Sequence, residues 1–248
     1  MIECQNISFS YHRGGTGQIL DVSMKVEEGY LTCLIGSNGA GKTTILKLLN
    51  GSLLPKAGTV KKDDILLNRS NLCGYRNGIF FVSGTDFGQT KPIGKDFLPL
   101  LQTLYPDFSE ADFAAYLEQL DFGMKHLSGL AQLSRLYEEF STGEKMKIAL
   151  CFALATHPKY LLLDEPFAHL DPVVRINLMD LLHKKVVEDG VGILISTHLI
   201  DEISDMMDYV AVIKDGGLLK FMDREKLMEN GDLRSAFHAI CDTDGGAL

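Results

Sequence analysis

Residues 36–43, "GSNGAGKT", constrain this chain more than any other stretch. They fit the pattern G-x-x-x-x-G-K-[ST]. The preceding run, "LTCLI" (31–35), is almost wholly apolar, the composition of a strand buried on both faces of a parallel sheet. The following run, "TTILKLLN", reads as a helix closed by Gly51. Strand, glycine-rich turn and helix start together form an anion site. Glycines let backbone N–H groups curl around a phosphate, and the helix N-terminus adds partial positive charge. In such a loop Lys42 reaches the β- and γ-phosphates of a nucleotide, and the Thr43 hydroxyl ligates Mg2+. The fold expected is α/β, with a P-loop NTPase core.

Two more buried strands are expected at "YLLLDEP" and "VGILIST". Both end in polar groups, where open α/β sheets place their chemistry. Asp164 is placed to hold the Mg2+ shell and Glu165 to orient or deprotonate a water. His198, at the tip of the second strand, is placed to touch a γ-phosphate. "ILDVSMKVEEG" alternates, with Leu20, Val22, Met24 and Val26 facing one way and Asp21, Ser23, Lys25 and Glu27 the other. That pattern predicts an antiparallel strand with one wet face, followed by a turn at Glu28-Gly29.

The character changes between about 88 and 157. "DFSEADFAAYLEQL" offers Ser109 as a helix N-cap, with Asp112 three residues on and Phe113, Tyr116, Leu117 and Leu120 at helical spacing. "GEKMKIALCFALA" continues helical, with Ile148, Cys151, Phe152 and Ala155 on one stripe. "YVAVIKDGGLLKF" predicts two strands around an Asp-Gly turn. The expected plan is one domain over 1–248. An N-terminal antiparallel β-subdomain belongs to a core of about 1–87 and 158–225. A helical subdomain of about 88–157 is inserted into it, and a tail of about 226–248 ends in the frayed "DTDGGAL".

Bulk properties exclude several roles. A net charge of -9 argues against wrapping nucleic acid, where Lys and Arg must neutralise phosphates. The 5 cysteines are scattered without a C-x-x-C pair, which predicts reduced thiols and neither a disulfide nor a zinc framework. No basic-then-apolar signal segment opens "MIECQNISF", and no apolar run approaches the roughly twenty residues that a membrane span needs. Any membrane role must come through a partner.

Taken together with "FSTGEK" (140–145), these motifs resemble the ATP-binding subunits of ATP-binding-cassette (ABC) transporters, over about residues 2–225. The resemblance implies ATP and Mg2+ as cofactors and ATP hydrolysis as the reaction. It makes residues 36–44 (Gly36, Ser37, Asn38, Gly39, Ala40, Gly41, Lys42, Thr43 and Thr44) the nucleotide-binding Walker A loop. Tyr11 in "SFSYHRGG" matches the aromatic that stacks on adenine. "YLLLDEP" matches Walker B, with Asp164 on the magnesium side and Glu165 as catalytic base. "AHLD" (168–171) matches the D-loop, with Asp171 as its acid, and His198 the switch histidine. "FSTGEK" matches the signature loop L-S-G-G-Q, so Ser141, Gly143 and Glu144 would act in trans on ATP held by a neighbouring subunit. The implied partners are a second such subunit, identical or different, and separate transmembrane permease subunits. The implied location is cytoplasmic, on the inner face of the membrane.

The sequence also departs from the family. Thr142 replaces the first signature glycine, and Glu144 the glutamine. Glu144 brings a negative charge toward a γ-phosphate unless Lys145 or Lys147 offsets it. After "GIFFV" the family places a glutamine that touches Mg2+, where this chain has Gly84. Asp86 or a water is expected to stand in, or coupling to the permease is looser. "YPDFSEADF" and "LDPVVR" are similar to the ABC-2-type exporter branch, which includes bacitracin, lantibiotic and phenol-soluble-modulin exporters of Gram-positive bacteria. The alternatives are an importer subunit, which normally keeps the glutamine, and a soluble ABC ATPase acting on DNA or ribosomes, which usually shows coiled coils or two cassettes. A plain P-loop kinase would need neither "FSTGEK" nor the histidine.

Overall fold

The computed structural model describes residues 1–11, 18–84, 98–122, 133, 137–198 and 206–228. They form two compact units, each taken over its described residues. One draws on Met1–Phe81, Lys159–Glu165 and Leu182–Leu248, the other on Val82–Pro158 and Pro166–Leu181.

Among the described residues ten strands make one sheet: β1 (Ile2–Phe9), β2 (Ile19–Val26), β3 (Leu31–Ile35), β4 (Ala57–Lys62), β5 (Ile65–Leu66), β6 (Ile79–Ser83), β7 (Tyr160–Asp164), β8 (Gly192–Thr197), β9 (Tyr209–Lys214) and β10 (Gly217–Asp223). Their spatial order is β5-β4-β1-β2-β10-β9-β3-β8-β7-β6. The strands β9, β3, β8 and β7 run parallel. Every residue of β3 and β8 is buried, including Thr32, Ser196 and Thr197 within their mostly apolar runs. At the other end β1, β2, β4 and β5 pair antiparallel. The antiparallel part joins the rest through β10, which pairs with β2 at Gly217 and Leu20.

The strict alternation expected for β2 holds only beyond Asp21. Val22, Met24 and Val26 are buried, but Leu20 is 51% exposed and Ile19 is buried in its place. The cause is a pair of bulges. The β1–β2 register shifts between Cys4 and Ile7 and again between Ile7 and Phe9. Asn6 and Asp21 carry φ of 50° and 52° there, and the Asn6 amide donates to Asp21 Oδ1 at 2.9 Å. An extra residue reverses which side chains face the core. Between β9 and β10, Asp215 and Gly216 both have positive φ, as a tight hairpin turn demands.

Helix α1 (Lys42–Leu49) follows β3 and ends at Asn50, with Gly51 at φ 75°. The short α2 (Leu72–Arg76) grips that end. The Tyr75 hydroxyl donates to Leu49 O at 2.5 Å, Arg76 Nε to Asn50 O at 3.3 Å, and Arg76 Nη2 to Gly51 O at 3.0 Å.

The second unit carries α3 (Leu98–Leu104), α4 (Glu110–Gln119), a 3-10 turn at Tyr137–Glu139, and α5 (Thr142–Ala155). It also takes the first part of α6 (Pro172–Asp189). Ser109 caps α4, accepting from Asp112 N at 3.1 Å. Phe113, Leu117 and Leu120 are buried at the expected spacing. The Phe108 ring packs near Phe113 and Phe152, with centroids 5.7 and 5.2 Å away. Instead of presenting one apolar stripe, α5 is buried on all sides from Ile148 to Ala155, as expected of a helix apolar all round.

Candidate nucleotide site

The phosphate loop leaves the end of β3 under tight steric control. A Cβ on Gly36 would lie 2.5 Å from Ile213 O, and one on Gly41 2.6 Å from Ile19 Cδ1. Gly41 also has φ 107° and stands at the N-terminus of α1, where no side chain caps the helix N–H groups. Gly39, at φ 85°, makes the turn. Ala40 is buried, and its carbonyl accepts from Gly216 N at 3.0 Å, so the β9–β10 turn backs the loop. Ser37, Asn38 and Gly39 form the exposed rim.

Lys42 is only 6% exposed. Its ammonium donates to Gly36 O at 2.8 Å and Ser37 O at 3.2 Å, and lies 3.1 Å from Glu165 Oε1. Two loop carbonyls and one carboxylate thus hold the cation inside the loop. The Thr43 hydroxyl donates to Asp164 Oδ2 at 2.8 Å. Thr44 is buried, and the Tyr11 hydroxyl lies 3.5 Å from Thr44 Oγ1. Tyr11 is 47% exposed and meets Phe9 edge-to-face at 5.0 Å.

The carboxylates arrive from the carboxyl end of β7. β7 and β8 pair in register, with Asp164 opposite Ser196. Glu165 is a non-glycine residue at φ 50°, a strained backbone of the kind that clusters at active sites. Its Oε2 lies 2.9 Å from His198 Nδ1, and its Oε1 is buried beside the Lys42 ammonium. The structure thus brings Lys42, Thr43, Asp164, Glu165 and His198 together in the first unit. Sequence reasoning missed Ser196, whose hydroxyl donates to Asp164 Oδ1 at 2.6 Å and accepts from Glu165 N at 3.1 Å. The available signal was a serine within the apolar run "GILIS".

In the second unit Ser141 is the N-cap of α5 and makes a full capping box. Glu144 N donates to Ser141 Oγ at 3.2 Å, and Ser141 N donates to Glu144 Oε2 at 2.7 Å. The helix N-terminus takes up the Glu144 charge, while Lys147 donates to Asp121 O at 3.0 Å. A Cβ on Gly143 would lie 2.6 Å from His169 O, whereas Thr142 is exposed. Asp171 Oδ1 accepts from Val174 N at 3.1 Å, which together with nearby Lys147 holds its carboxyl below the usual value. Gly84 has φ 68° and open space where a Cβ would stand. Asp86 and Gln89 lie outside the described residues.

A buried strand feeding a glycine loop, a helix N-terminus, a lysine inside the loop and two acids at the carboxyl end of β7, two strands away, define a P-loop ATPase site. Residues 19–168 match the family described as ABC transporter. A putative ABC transporter ATP-binding protein of Archaeoglobus fulgidus is 33% identical over 228 residues, covering 88% of this chain and 73% of that protein. The energy-coupling factor transporter ATP-binding protein EcfA2 of Streptococcus pneumoniae is 32% identical over 237 residues, covering 88% and 80%. In fold, the chain is similar to an ATP-binding cassette solved as a dimer in a post-hydrolysis state with ADP and phosphate. The TM-score is 0.76 at 22% identity, over 90% of this chain and 99% of that one. The chain belongs to the ABC transporter family as one of its ATP-binding subunits, an ATPase.

Proposed function

We propose that this chain is the ATP-hydrolysing subunit of a bacterial ABC exporter, acting as a pair on the inner face of the membrane and driving separate transmembrane subunits. The observation that carries the reading is the cluster of Lys42, Thr43, Asp164, Glu165 and His198 at the ends of β3, β7 and β8. Loop N–H groups and Lys42 receive the β- and γ-phosphates, and Tyr11 stacks on the adenine. Mg2+ suits the Thr43–Asp164 pair. Among the described residues no group of three or more His, Cys, Asp or Glu could hold a metal by itself, and Mg2+ is bound by few protein oxygens plus phosphates. Bound there, it neutralises charge building on the phosphate oxygens. Glu165 takes a proton from the water whose oxygen bonds to the γ-phosphorus as the bridging bond to ADP breaks. His198 holds the other Glu165 oxygen and borders the γ-phosphate. Positioning and charge stabilisation supply most of the rate.

Ser141, Gly143 and Glu144 act in trans, closing over ATP in a neighbouring copy, and Asp171 lies at the same junction. The dimeric relative in fold supports this pairing. No helix among the described residues is long and apolar enough to cross a membrane, which fits attachment through a permease. The net charge of -9 stands against a nucleic-acid partner. Export rests on "YPDFSEADF", "LDPVVR" and Gly84 in place of the coupling glutamine. Import is the second reading, favoured by the likeness to EcfA2. The direction of ATP-driven flux with the co-purified membrane partner decides between them. The test of the site is Glu165→Gln. ATP should still bind, hydrolysis should collapse and an ATP-dependent dimer should accumulate. Turnover at the wild-type rate would refute the base assignment.

A further inference from the structure

The geometry points to Ser196 as a positioning residue that orients both carboxylates of the site through one buried hydroxyl. Ser196 is fully buried on β8, one strand away from the acids. Its Oγ donates to Asp164 Oδ1 at 2.6 Å. The same oxygen accepts from Glu165 N at 3.1 Å, and so does the Ser196 carbonyl, also at 3.1 Å. Each bond has a distinct consequence.

A carboxylate can turn about its last torsion and present either oxygen, since such torsions are broad and two-fold. Here the two oxygens are assigned. Ser196 takes Oδ1, and Oδ2 faces the Thr43 hydroxyl at 2.8 Å, toward the phosphate loop. Asp164 therefore presents one defined oxygen beside Thr43, where Mg2+ fits. The second bond acts on the backbone. Glu165 holds φ 50°, a left-handed conformation that is strained for a residue with a side chain. Two acceptors on Ser196 stabilise its N–H in that conformation, which sends the side chain toward Lys42 and His198. A serine or threonine hydroxyl donates to one neighbour and accepts from the next through a single small oxygen. An alanine keeps the carbonyl acceptor and removes the hydroxyl alone.

This inference rests on the reading of Asp164 and Glu165 as magnesium-side acid and base. Wild-type protein that hydrolyses Mg-ATP, and loses that activity in Glu165→Gln, secures the reading before Ser196 is tested. Three variants of the full chain are then compared: wild type, Ser196→Ala and Ser196→Thr. ATP affinity is measured in EDTA. Mn2+ is titrated onto the complex with a non-hydrolysable ATP analogue, with free Mn2+ counted by electron paramagnetic resonance, and kcat and KM are measured with Mg2+. Ser196→Ala should bind ATP in EDTA as wild type does, hold Mn2+ about 10–100-fold more weakly and lose kcat by a comparable factor, the usual range for a residue orienting a metal ligand. Ser196→Thr should recover most of both. Three results would overturn the assignment: unchanged Mn2+ affinity in Ser196→Ala, an equal loss of metal-free ATP binding, or a threonine variant as impaired as the alanine.

Discussion

At Gly143 an added methyl would press on the His169 carbonyl at 2.6 Å, while at Thr142 a side chain stands in solvent. That difference agrees with the resemblance to L-S-G-G-Q, in which the second glycine is kept at 143 and the first replaced at 142. Gly143→Ala should therefore cost about 1–3 kcal/mol through overpacking, offset in part by the better helix propensity of alanine. Thermal unfolding checks it, and Thr142→Gly is the control expected to leave trans activity intact. Glu144 in place of glutamine keeps the capping box at Ser141, a bond that either side chain can make, and sets its charge at a helix N-terminus that favours it. The phosphate loop, Asp164, Glu165 and His198 are legible in sequence because each stands where an apolar run stops. Ser196 is not. Its partner Asp164 lies 32 residues away, and only the β7–β8 register brings them together.

Elements hold the phosphate loop at both ends of α1. The glycine-rich start is backed by Gly216, and the far end is capped by Tyr75 and Arg76 from α2. A guanidinium on the last carbonyls of a helix satisfies acceptors that have no partner in the helix and favours the helix dipole. Arg76→Ala should lower stability by about 1–2 kcal/mol, seen as a lower unfolding midpoint. Arg76→Lys should recover only part of it, because an ammonium cannot fork to two carbonyls in one plane. Parallel core strands announce themselves by nearly continuous apolar composition. The β2 alternation misleads at Leu20 because a period of two cannot foresee the bulge at Asp21, where a non-glycine residue takes φ 52°. The burial of α5 on all sides likewise exceeds what a single stripe implies, since Ala149, Leu150, Ala153 and Leu154 are buried too.

At the scale of the molecule, two helix starts carry the motifs matched to phosphate binding, at Gly41 on α1 and at Ser141 on α5. Each lies in its own compact unit. We assign them to different ATP molecules. The loop at 36–43 holds a copy's own nucleotide, and Ser141 and Gly143 complete the site of the neighbour. Lys42→Ala should abolish a copy's own site, and Ser141→Arg should abolish the neighbour's. Each variant alone is then inactive. In a mixed dimer, the Ser141→Arg copy supplies an intact Lys42 and the Lys42→Ala copy an intact Ser141, so one whole site is rebuilt. Phosphate release from an equimolar mixture of the two purified variants is the direct measurement. Sharing of the sites requires hydrolysis that neither variant shows by itself. A mixture as inactive as its components, with dimers present, would contradict it and return Ser141 to the role of a helix cap.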